Sequence, residues 1–365
     1  MSFILLLILF ILGTICIWIE INSKKTPKLL LAIFLILFVI TVLSRIDNYP
    51  SYADLGSYLS RFKYDDNAYF GFGYVFFVDA IKDLFGKSST IYLVAISSFN
   101  LIVILISALL LSHKNGDSNE TKPIIENRYI ASFVVLYSMY WGLSFSAEVI
   151  RSGLAITTSL LAVALLLRKK TFLAIIVYFI SFSFHWSQIF LLPILLIFRF
   201  NRLYSPIKQP VFLIWLVLLL FLDFINISSL TIEFTNQFLI WVLSKMSLLS
   251  HYSGYVNVFE RVGILDYITR QYLFYRVTGF LLIFGNLKHK IFNKSVFAYF
   301  VGLTVFTFLN ALEAVTRMSW VFLPFSIYAL YFFISKNKKY NTSLKGIIVT
   351  IYLLLQTIMA FLYLG

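Results

Sequence analysis

Residues 3–21 read FILLLILFILGTICIWIEI, an apolar run with a single carboxylate, Glu20, near its end. About 20 residues in a helix cross the hydrocarbon core of a bilayer. Similar runs recur along the 365 residues, of which 60% are hydrophobic and 13% charged. A soluble domain carries about 25% charged residues, so the composition excludes a soluble protein. Lipid leaves unpaired backbone groups without partners, and no barrel-like alternation is present. We therefore predict an all-α polytopic integral membrane protein.

The apolar runs predict about ten full transmembrane helices, arranged as a single transmembrane domain over residues 1–365. They lie near residues 3–21, 28–44, 88–111, 129–146, 148–167, 210–230, 272–287, 295–312, 318–335 and 346–363. Two further stretches predict one or two re-entrant or short helical hairpins. Residues 69–86 are amphipathic, whereas residues 171–198 are apolar but interrupted by serines around His185. Twenty-eight residues are too few for two crossings at ~20 residues each, so this second stretch should turn near His185.

The distribution of basic residues predicts the orientation of the helices. The net charge is +14, and its basic residues lie between the apolar runs. This position indicates that they orient the protein in the membrane and do not bind nucleic acid. On one predicted side lie 19 of the 30 Lys and Arg residues, and 15 of these 19 are lysine. That side should be cytoplasmic. The opposite side, with loops 45–68 and 231–271, is rich in arginine, whose planar fork grips phosphate or carboxylate. We infer an outward-facing site for an anion.

Two charged segments of the outward face are candidate binding sites. Arg45 and Asp47 open a polar, aromatic loop that suits a carbohydrate, although a solvated loop with internal ion pairs has the same composition. Glu148 and Arg151 are predicted to begin a helix. An arginine there opposes the helix macrodipole, so either Glu148 compensates it at i,i+3 spacing or a bound anion does. Charged groups in apolar surroundings are functional candidates.

Two histidines are candidate bases. His185 lies among serines and a tryptophan at the predicted turn, where it could accept a proton, orient a sugar or simply pack. His251 lies in the long outward segment. The four histidines show no metal-binding spacing, and the lone cysteine, Cys16, allows neither a disulfide nor a thiolate metal site. No metal and no cofactor are predicted.

Several residues towards the C-terminus could bind an anion. Arg276 lies inside an apolar run, where it would either snorkel to headgroups or face a ligand. Glu313 and Arg317 form an i,i+4 pair that is either structural or half of an anion site. The remaining candidates on this face are Arg270 and Tyr275.

Taken together, these motifs resemble the EpsG-like branch of the Wzy-type polysaccharide polymerases. Coverage is good from about residue 45 to residue 198. Ala68 and Tyr69 stand where members usually carry a glutamate. The matching pieces are Arg45-Ile-Asp47-Asn-Tyr49, Phe70-Gly-Phe-Gly-Tyr74, Glu148-Val-Ile-Arg151-Ser-Gly-Leu-Ala155, Phe184-His185-Trp186-Ser187 with Pro193, and the late Arg317.

The resemblance implies a metal-independent glycosyltransferase of the membrane class GT-C, in the bacterial inner (plasma) membrane. Its substrates would be oligosaccharide repeat units on undecaprenyl pyrophosphate, joined on the periplasmic or outer face into surface polysaccharide such as O-antigen, capsule or exopolysaccharide. The partners would be these lipid-linked units and membrane lipids, without nucleic acid. A chain-length regulator and a flippase remain open as partner proteins.

Residue chemistry suggests roles for the candidates in such a reaction. The acceptor hydroxyl needs a base, for which His185, Glu148 and His251 are candidates. The pyrophosphate leaving group develops negative charge, which preorganised guanidinium groups stabilise. We predict a pyrophosphate clamp of Arg151, Arg270, Arg276 and Arg317, with Arg45, Asp47 and Tyr275 as further pyrophosphate or sugar contacts.

Other functions fit part of the pattern. A flippase for lipid-linked oligosaccharides could use outer arginines to select its cargo, but transporters often show internal repeats that are not evident here. An O-antigen ligase would use similar chemistry on another acceptor. A membrane acyltransferase built around His185 is a further alternative, and Gly142-Leu-Ser144 with His185 weakly suggests an intramembrane serine protease.

Overall fold

The computed structural model is helical wherever it has regular secondary structure. It describes residues 3–46, 54–64, 71–112, 129–228, 264–285, 287–309, 317–336 and 340–364, together with Thr231, Gln237 and Trp241. No strand occurs in this part of the chain. The chain forms two compact units. Unit 1 comprises Met1–Ser205 with Leu330–Gly365, and unit 2 comprises Pro206–Ala329.

The helices are numbered in chain order. Unit 1 holds α1 (Phe3–Ser23), α2 (Lys28–Leu43), α3 (Asp54–Tyr64), α4 (Phe72–Phe85), α5 (Ser89–Ser112), α6 (Ile130–Ala147), α7 (Ile150–Leu167), α8 (Thr171–Phe184), α9 (Leu192–Arg199) and α14 (Thr342–Leu364). Unit 2 holds α10 (Gln209–Phe224), α11 (Ile264–Ile283) and α12 (Lys290–Leu309). The last helix, α13 (Phe325–Lys336), begins in unit 2 and ends in unit 1.

Seven helices among the described residues are long and apolar enough to cross a membrane. They are α1, α5, α6, α7, α12, α13 with its preceding 3-10 turn, and α14. These match seven of the predicted crossings within a few residues, and they are the helices of a multi-pass membrane protein. The predicted crossings 28–44 and 210–230 correspond to shorter apolar helices, α2 and α10. The predicted crossing 272–287 is the later part of α11, which begins earlier, at Ile264. A total of ten crossings stays a prediction.

Helix α6 is the core of unit 1, since its whole length is buried. Two side chains from other helices hold it. The Glu20 carboxylate of α1 accepts hydrogen bonds from the backbone N–H groups of Ala131 (3.1 Å) and Ser132 (2.7 Å), which lie in the first turn of α6. A carboxylate there satisfies orphan donors and complements the helix dipole.

Gln356 of α14 holds α6 in the middle. Its side-chain oxygen accepts from the N–H of Tyr140 (2.9 Å), and its side-chain nitrogen donates to the carbonyl of Leu136 (3.0 Å). A regular helix would join those two backbone groups directly. The amide is thus inserted into the backbone ladder, next to the π-helical turn Ser138–Gly142. Insertions of this kind are a recognised cause of local helix distortion.

The helix ends of unit 1 fall at two opposite ends of the bundle. At the end marked by Glu20, the Arg168 side chain after α7 donates to the Leu111 carbonyl of α5 (3.1 Å). At the opposite end, Arg45, two residues beyond the end of α2, contacts Glu148 between α6 and α7. The C-terminus of α2 and the N-terminus of α5 therefore lie at the same end. Within residues 69–86 the structure describes α4, and the re-entrant or short helical character predicted for this stretch stays a prediction.

The segment 45–68 was predicted to be a loop, and that prediction is wrong for residues 54–64, which form α3. Leu55, Tyr58, Leu59 and Phe62 are all buried. Their spacing is that of one helical face, so burying this stripe outweighs the polar composition of the segment. Phe62 lies 4.6 Å from Tyr92 of α5, measured between ring centroids.

The helix is interrupted at His185, where the turn of a short hairpin was predicted, and the hairpin itself stays a prediction. Helix α8 ends at Phe184, His185 is extended (φ −154°, ψ 123°), and a 3-10 turn over Trp186–Leu191 leads into α9. Both α8 and α9 pack against α7. The Ser181 hydroxyl of α8 donates to the Ala155 carbonyl of α7 (2.6 Å).

In the described part of unit 2, α10, α11 and α12 pack on one another. Asn293 of α12 fixes one end, since its side chain accepts from the N–H of Ile207 (3.0 Å) and donates to the Ile207 carbonyl (2.8 Å). Trp215 of α10 donates its indole N–H to Thr304 of α12 (3.0 Å).

Candidate functional site

A buried ion pair marks the Arg45 end of unit 1. Arg45 Nη2 donates to Glu148 Oε1, and the two side chains are 0% and 6% exposed. Arg45 and Glu148 are 103 residues apart in the sequence. Charges in such surroundings require a partner, because desolvation of an isolated ion is costly. The sequence did not indicate Arg45 as a partner of Glu148. Its alternatives for Arg151, compensation by Glu148 or by a bound anion, stay predictions.

Glu148 lies in a break between two helices, not at the start of a helix as predicted. The Ser144 carbonyl accepts from the N–H groups of both Glu148 (2.9 Å) and Val149 (3.0 Å), which closes α6 tightly. A Cβ atom on Gly153 would lie 2.5 Å from the Phe145 carbonyl oxygen. Only glycine therefore lets the first turn of α7 pack this closely on the end of α6. The break places Arg151 in that first turn.

Tyrosines from three helices gather beside Arg151. The hydroxyls of Tyr74 (α4) and Tyr92 (α5) are 2.6 Å apart, and the rings of Tyr58 (α3) and Tyr74 lie 5.9 Å apart. Burial raises the pKa of the Tyr74 hydroxyl well above its ordinary value, and Tyr58 adds to this. The hydrogen bond with Tyr92 and the positive charges of Arg151 and Arg61 act in the opposite direction. The Tyr74 hydroxyl is thus neutral and close to two guanidinium groups.

The aromatic-glycine segment packs on the chain just before His185. A Cβ atom on Gly71 would lie 2.7 Å from the Ser183 carbonyl oxygen, and one on Gly73 would lie 2.8 Å from the Ser183 Cβ. The backbone of α4 can approach α8 this closely only because neither residue has a side chain. This contact joins the Tyr74 helix to the residues that carry His185.

His185 is fixed by its neighbours. Its Nδ1 atom lies 2.7 Å from the Ser187 hydroxyl and accepts the Ser187 backbone N–H (3.2 Å). The imidazole also stacks on Trp186, at an interplanar angle of 18°. Helices α7 and α8 run antiparallel, and Ser181 bonds to Ala155, so four residues further along α8 correspond to four residues back along α7. His185 therefore lies at the level of Arg151.

Unit 1 thus places four of the predicted site residues, Arg45, Glu148, Arg151 and His185, at the same end of the bundle, where Tyr74 also lies. The set offers a fixed imidazole for proton transfer, a guanidinium in a helix first turn for an anion, and tyrosine hydroxyls for sugar contacts. Arg45 is fully buried, whereas Arg151 is partly exposed. Arg151 is therefore the cation of this set that a ligand can reach.

Comparison with known proteins identifies the family. The sequence matches the EpsG family over residues 30–364. The chain belongs to the EpsG family. EpsG is a Wzy-like family of polysaccharide polymerases, so the membrane chain is a polysaccharide polymerase-like glycosyltransferase at the family level. No curated protein matches the sequence, and no solved structure matches the chain.

A second buried ion pair of this EpsG-family protein lies in unit 2. Arg276 Nη2 of α11 lies 2.5 Å from Asp223 Oδ2 of α10 and also donates to the Thr307 hydroxyl of α12. The guanidinium lies 5.2 Å from the centre of the Tyr272 ring. From the sequence, Arg276 was expected either to snorkel to lipid headgroups or to bind an anion. Asp223 was not expected as its partner. A carboxylate in contact already compensates this arginine.

The other predicted site residues have the following places. Tyr275 of α11 is buried, and its carbonyl accepts from the Tyr299 hydroxyl (2.8 Å). Arg317 begins a 3-10 turn of unit 2. Asp47, His251, Glu313 and the side chain of Arg270 lie outside the part of the EpsG-family chain that the structure describes. Within the described ranges, no group of three or more His, Cys, Asp or Glu side chains could hold a metal ion.

Proposed function

We propose that this protein joins oligosaccharide repeat units carried on undecaprenyl pyrophosphate into a bacterial surface polysaccharide, without a metal ion. The growing chain moves from its lipid carrier onto the incoming unit. The observation that carries the proposal is that Arg151, Tyr74 and His185 lie at the same end of a membrane helix bundle. A lipid-linked donor requires a site embedded in the membrane, and its pyrophosphate requires a cation.

The reaction would proceed by attack of an acceptor hydroxyl on the anomeric carbon of the donor sugar. A C–O bond forms to the acceptor oxygen, and the bond from the anomeric carbon to the pyrophosphate oxygen breaks. His185 Nε2 takes the hydroxyl proton, while Nδ1 stays with Ser187. This requires the tautomer with the proton on Nδ1, in which Nδ1 donates to the Ser187 hydroxyl, 2.7 Å away, and no longer accepts the Ser187 backbone N–H. The proton then passes to solvent.

The leaving undecaprenyl pyrophosphate would be stabilised by arginine. Arg45 and Arg276 each contact a carboxylate, so an added anion would compete with Glu148 or Asp223 for them. Arg151 is partly exposed, belongs to a helix first turn and lies at the level of His185. We therefore assign pyrophosphate binding to Arg151. A guanidinium aimed at the developing charge supplies the stabilisation that a divalent cation gives elsewhere.

We propose that the Arg45 end of unit 1 faces the periplasm or the cell exterior across the inner (plasma) membrane. Lys24 and Lys25 follow α1, and Arg168, Lys169 and Lys170 follow α7, both at the Glu20 end. Basic residues of this kind stay on the cytoplasmic side. A flippase that delivers the units and a regulator of chain length are the partner proteins consistent with this orientation.

An elongation assay tests the proposal. Purified protein is given lipid-linked repeat units extracted from cells that lack this protein, in the presence of EDTA, and the products are sized. A ladder of longer glycans is expected. The same protein in sealed vesicles should not move labelled units across the bilayer. Transport without elongation would identify a flippase instead and would overturn the proposal.

A further inference from the structure

Gln188 is a fully buried side chain with unusual surroundings. It lies in the 3-10 turn Trp186–Leu191, whose buried face it shares with Leu191, whereas Ile189 and Phe190 are exposed. Gln188 is 0% exposed, yet neither its side-chain oxygen nor its side-chain nitrogen has a hydrogen-bond partner among the residues that the structure describes. An amide can donate two hydrogen bonds and accept two, so its whole bonding capacity is unused.

Such an arrangement is costly for a folded protein. Leaving a buried polar group without partners costs about 1–3 kcal/mol. The second fully buried glutamine, Gln356, shows the ordinary solution, because both its amide atoms bond to the backbone of α6. Buried unpaired polar groups in native structures call for an explanation, and a ligand that completes them is one. Gln188 therefore differs from Gln356 in a way that its burial cannot account for.

Gln188 lies next to His185, at the Arg45 end of unit 1. Its backbone N–H donates to the His185 carbonyl (3.2 Å), so the two residues are one 3-10 turn apart. Its own carbonyl accepts from the Tyr178 hydroxyl of α8 (2.9 Å). The backbone of Gln188 is thus fixed on both sides. This 3-10 turn packs against α7, which carries Arg151.

We propose that the Gln188 amide binds hydroxyl groups of the sugar that reacts at His185. The inference rests on the proposed function and deepens it by naming a sugar-binding residue. Vicinal hydroxyls donate and accept together, as an amide does, whereas pyrophosphate only accepts and an isoprenoid chain does neither. The amide would also select the sugar, because a site built to bond a hydroxyl rejects an analogue that lacks it.

The first test compares stability without substrate. The thiol of the lone, buried Cys16 reacts with a maleimide dye only when unit 1 opens, so its labelling on heating gives a melting temperature. Gln188→Met removes an amide that makes no hydrogen bond with the described residues, so the melting temperature should stay the same or rise. The matched control, Gln356→Met, should lower it. A fall in Gln188→Met as large as that in Gln356→Met would overturn the proposal.

The second test adds lipid-linked repeat units extracted from cells that lack this protein. They should raise the melting temperature of the wild type and of Gln356→Met. Gln188→Met should need roughly three- to tenfold more substrate for the same rise, as loss of one or two neutral hydrogen bonds predicts. Equal binding by Gln188→Met, or no binding by the wild type, would overturn the proposal. Binding without elongation would instead refute the polymerase function and leave the assignment of Gln188 intact.

Discussion

Removal of one charge from the Arg45–Glu148 pair should destabilise unit 1 far more than removal of a surface charge. The side chains are 0% and 6% exposed, so Glu148→Gln leaves a buried guanidinium without its counter-charge. Breaking a buried pair on one side costs about 3–5 kcal/mol, whereas exposed pairs contribute up to about 1 kcal/mol. The structure therefore predicts a loss of about 3–5 kcal/mol in the free energy of unfolding for Glu148→Gln.

The assay follows Cys16 labelling in detergent as SDS is increased, which reports the opening of unit 1. Asp79→Asn is the control for loss of an exposed carboxylate, because Asp79 is 51% exposed and lies 3.6 Å from Lys82, whose own side chain is 7% exposed. Its cost should stay below about 1 kcal/mol. If Glu148→Gln unfolds at the same SDS concentration as Asp79→Asn, the pair is not a buried structural element and the reasoning fails.

The pair can also be replaced as a whole. In Arg45→Met/Glu148→Leu both charges are gone, and apolar side chains of similar size fill the space. Replacing a buried ion pair in this way is often neutral or stabilising by about 1–4 kcal/mol. The double variant should therefore be more stable than Glu148→Gln alone. A double variant as unstable as the single one would show that the cost comes from lost packing and not from an uncompensated charge.

Two further variants test the packing around the site and in unit 2. Gly71→Ala should reduce elongation, because the new Cβ atom would meet the Ser183 carbonyl oxygen beside His185. Gly279→Ala should leave elongation near the wild-type level, because its nearest contact is a flexible side chain at 3.0 Å. Equal elongation rates in the two variants would contradict the close approach of α4 and α8. Asp223→Asn should lower the melting temperature followed by helical circular dichroism, with a cost of about 3–5 kcal/mol for an uncompensated Arg276, and an unchanged melting temperature would contradict the ion pair.

The helices were largely predictable because apolar runs of about 20 residues have few alternatives in a membrane. The interruption at His185 fits the same length argument, because residues 171–198 are too few for two crossings, although the hairpin predicted there stays a prediction. Helix α3 was missed although its signal was present. Leu55, Tyr58, Leu59 and Phe62 repeat with helical spacing, but the charged residues between them gave the segment the composition of a loop.

The ion pairs could not be predicted from one sequence. Arg45 and Glu148 are 103 residues apart, and Asp223 and Arg276 are 53 apart, so local spacing carries no information about either contact. Local spacing indicated only the nearby Arg151 as a partner for Glu148 and gave no sign of Arg45. Arg151 and His185 could be identified as candidate site residues from the sequence, because each is a charged or titratable group in apolar surroundings. The sequence could not show that the antiparallel register of α7 and α8 places them at one level.

Gln188 and Gln356 illustrate the same limit. In the sequence they are two glutamines in apolar segments, and nothing distinguishes them. In the structure the amide of Gln356 completes the backbone of α6, whereas the amide of Gln188 is buried with no partner among the described residues. Only tertiary packing shows which of the two buried amides bonds to the protein itself.

The central claim is that repeat units are joined at the Arg45 end of unit 1 by Arg151 and His185. The most direct measurement is the size distribution of glycans made from lipid-linked repeat units, in EDTA, by wild type, Arg151→Met, His185→Ala and the exposed control Arg202→Ala. The wild type and the control should give a ladder, and the other two variants should give none while keeping the Cys16 melting temperature of the wild type. A full ladder from Arg151→Met or His185→Ala would contradict the claim.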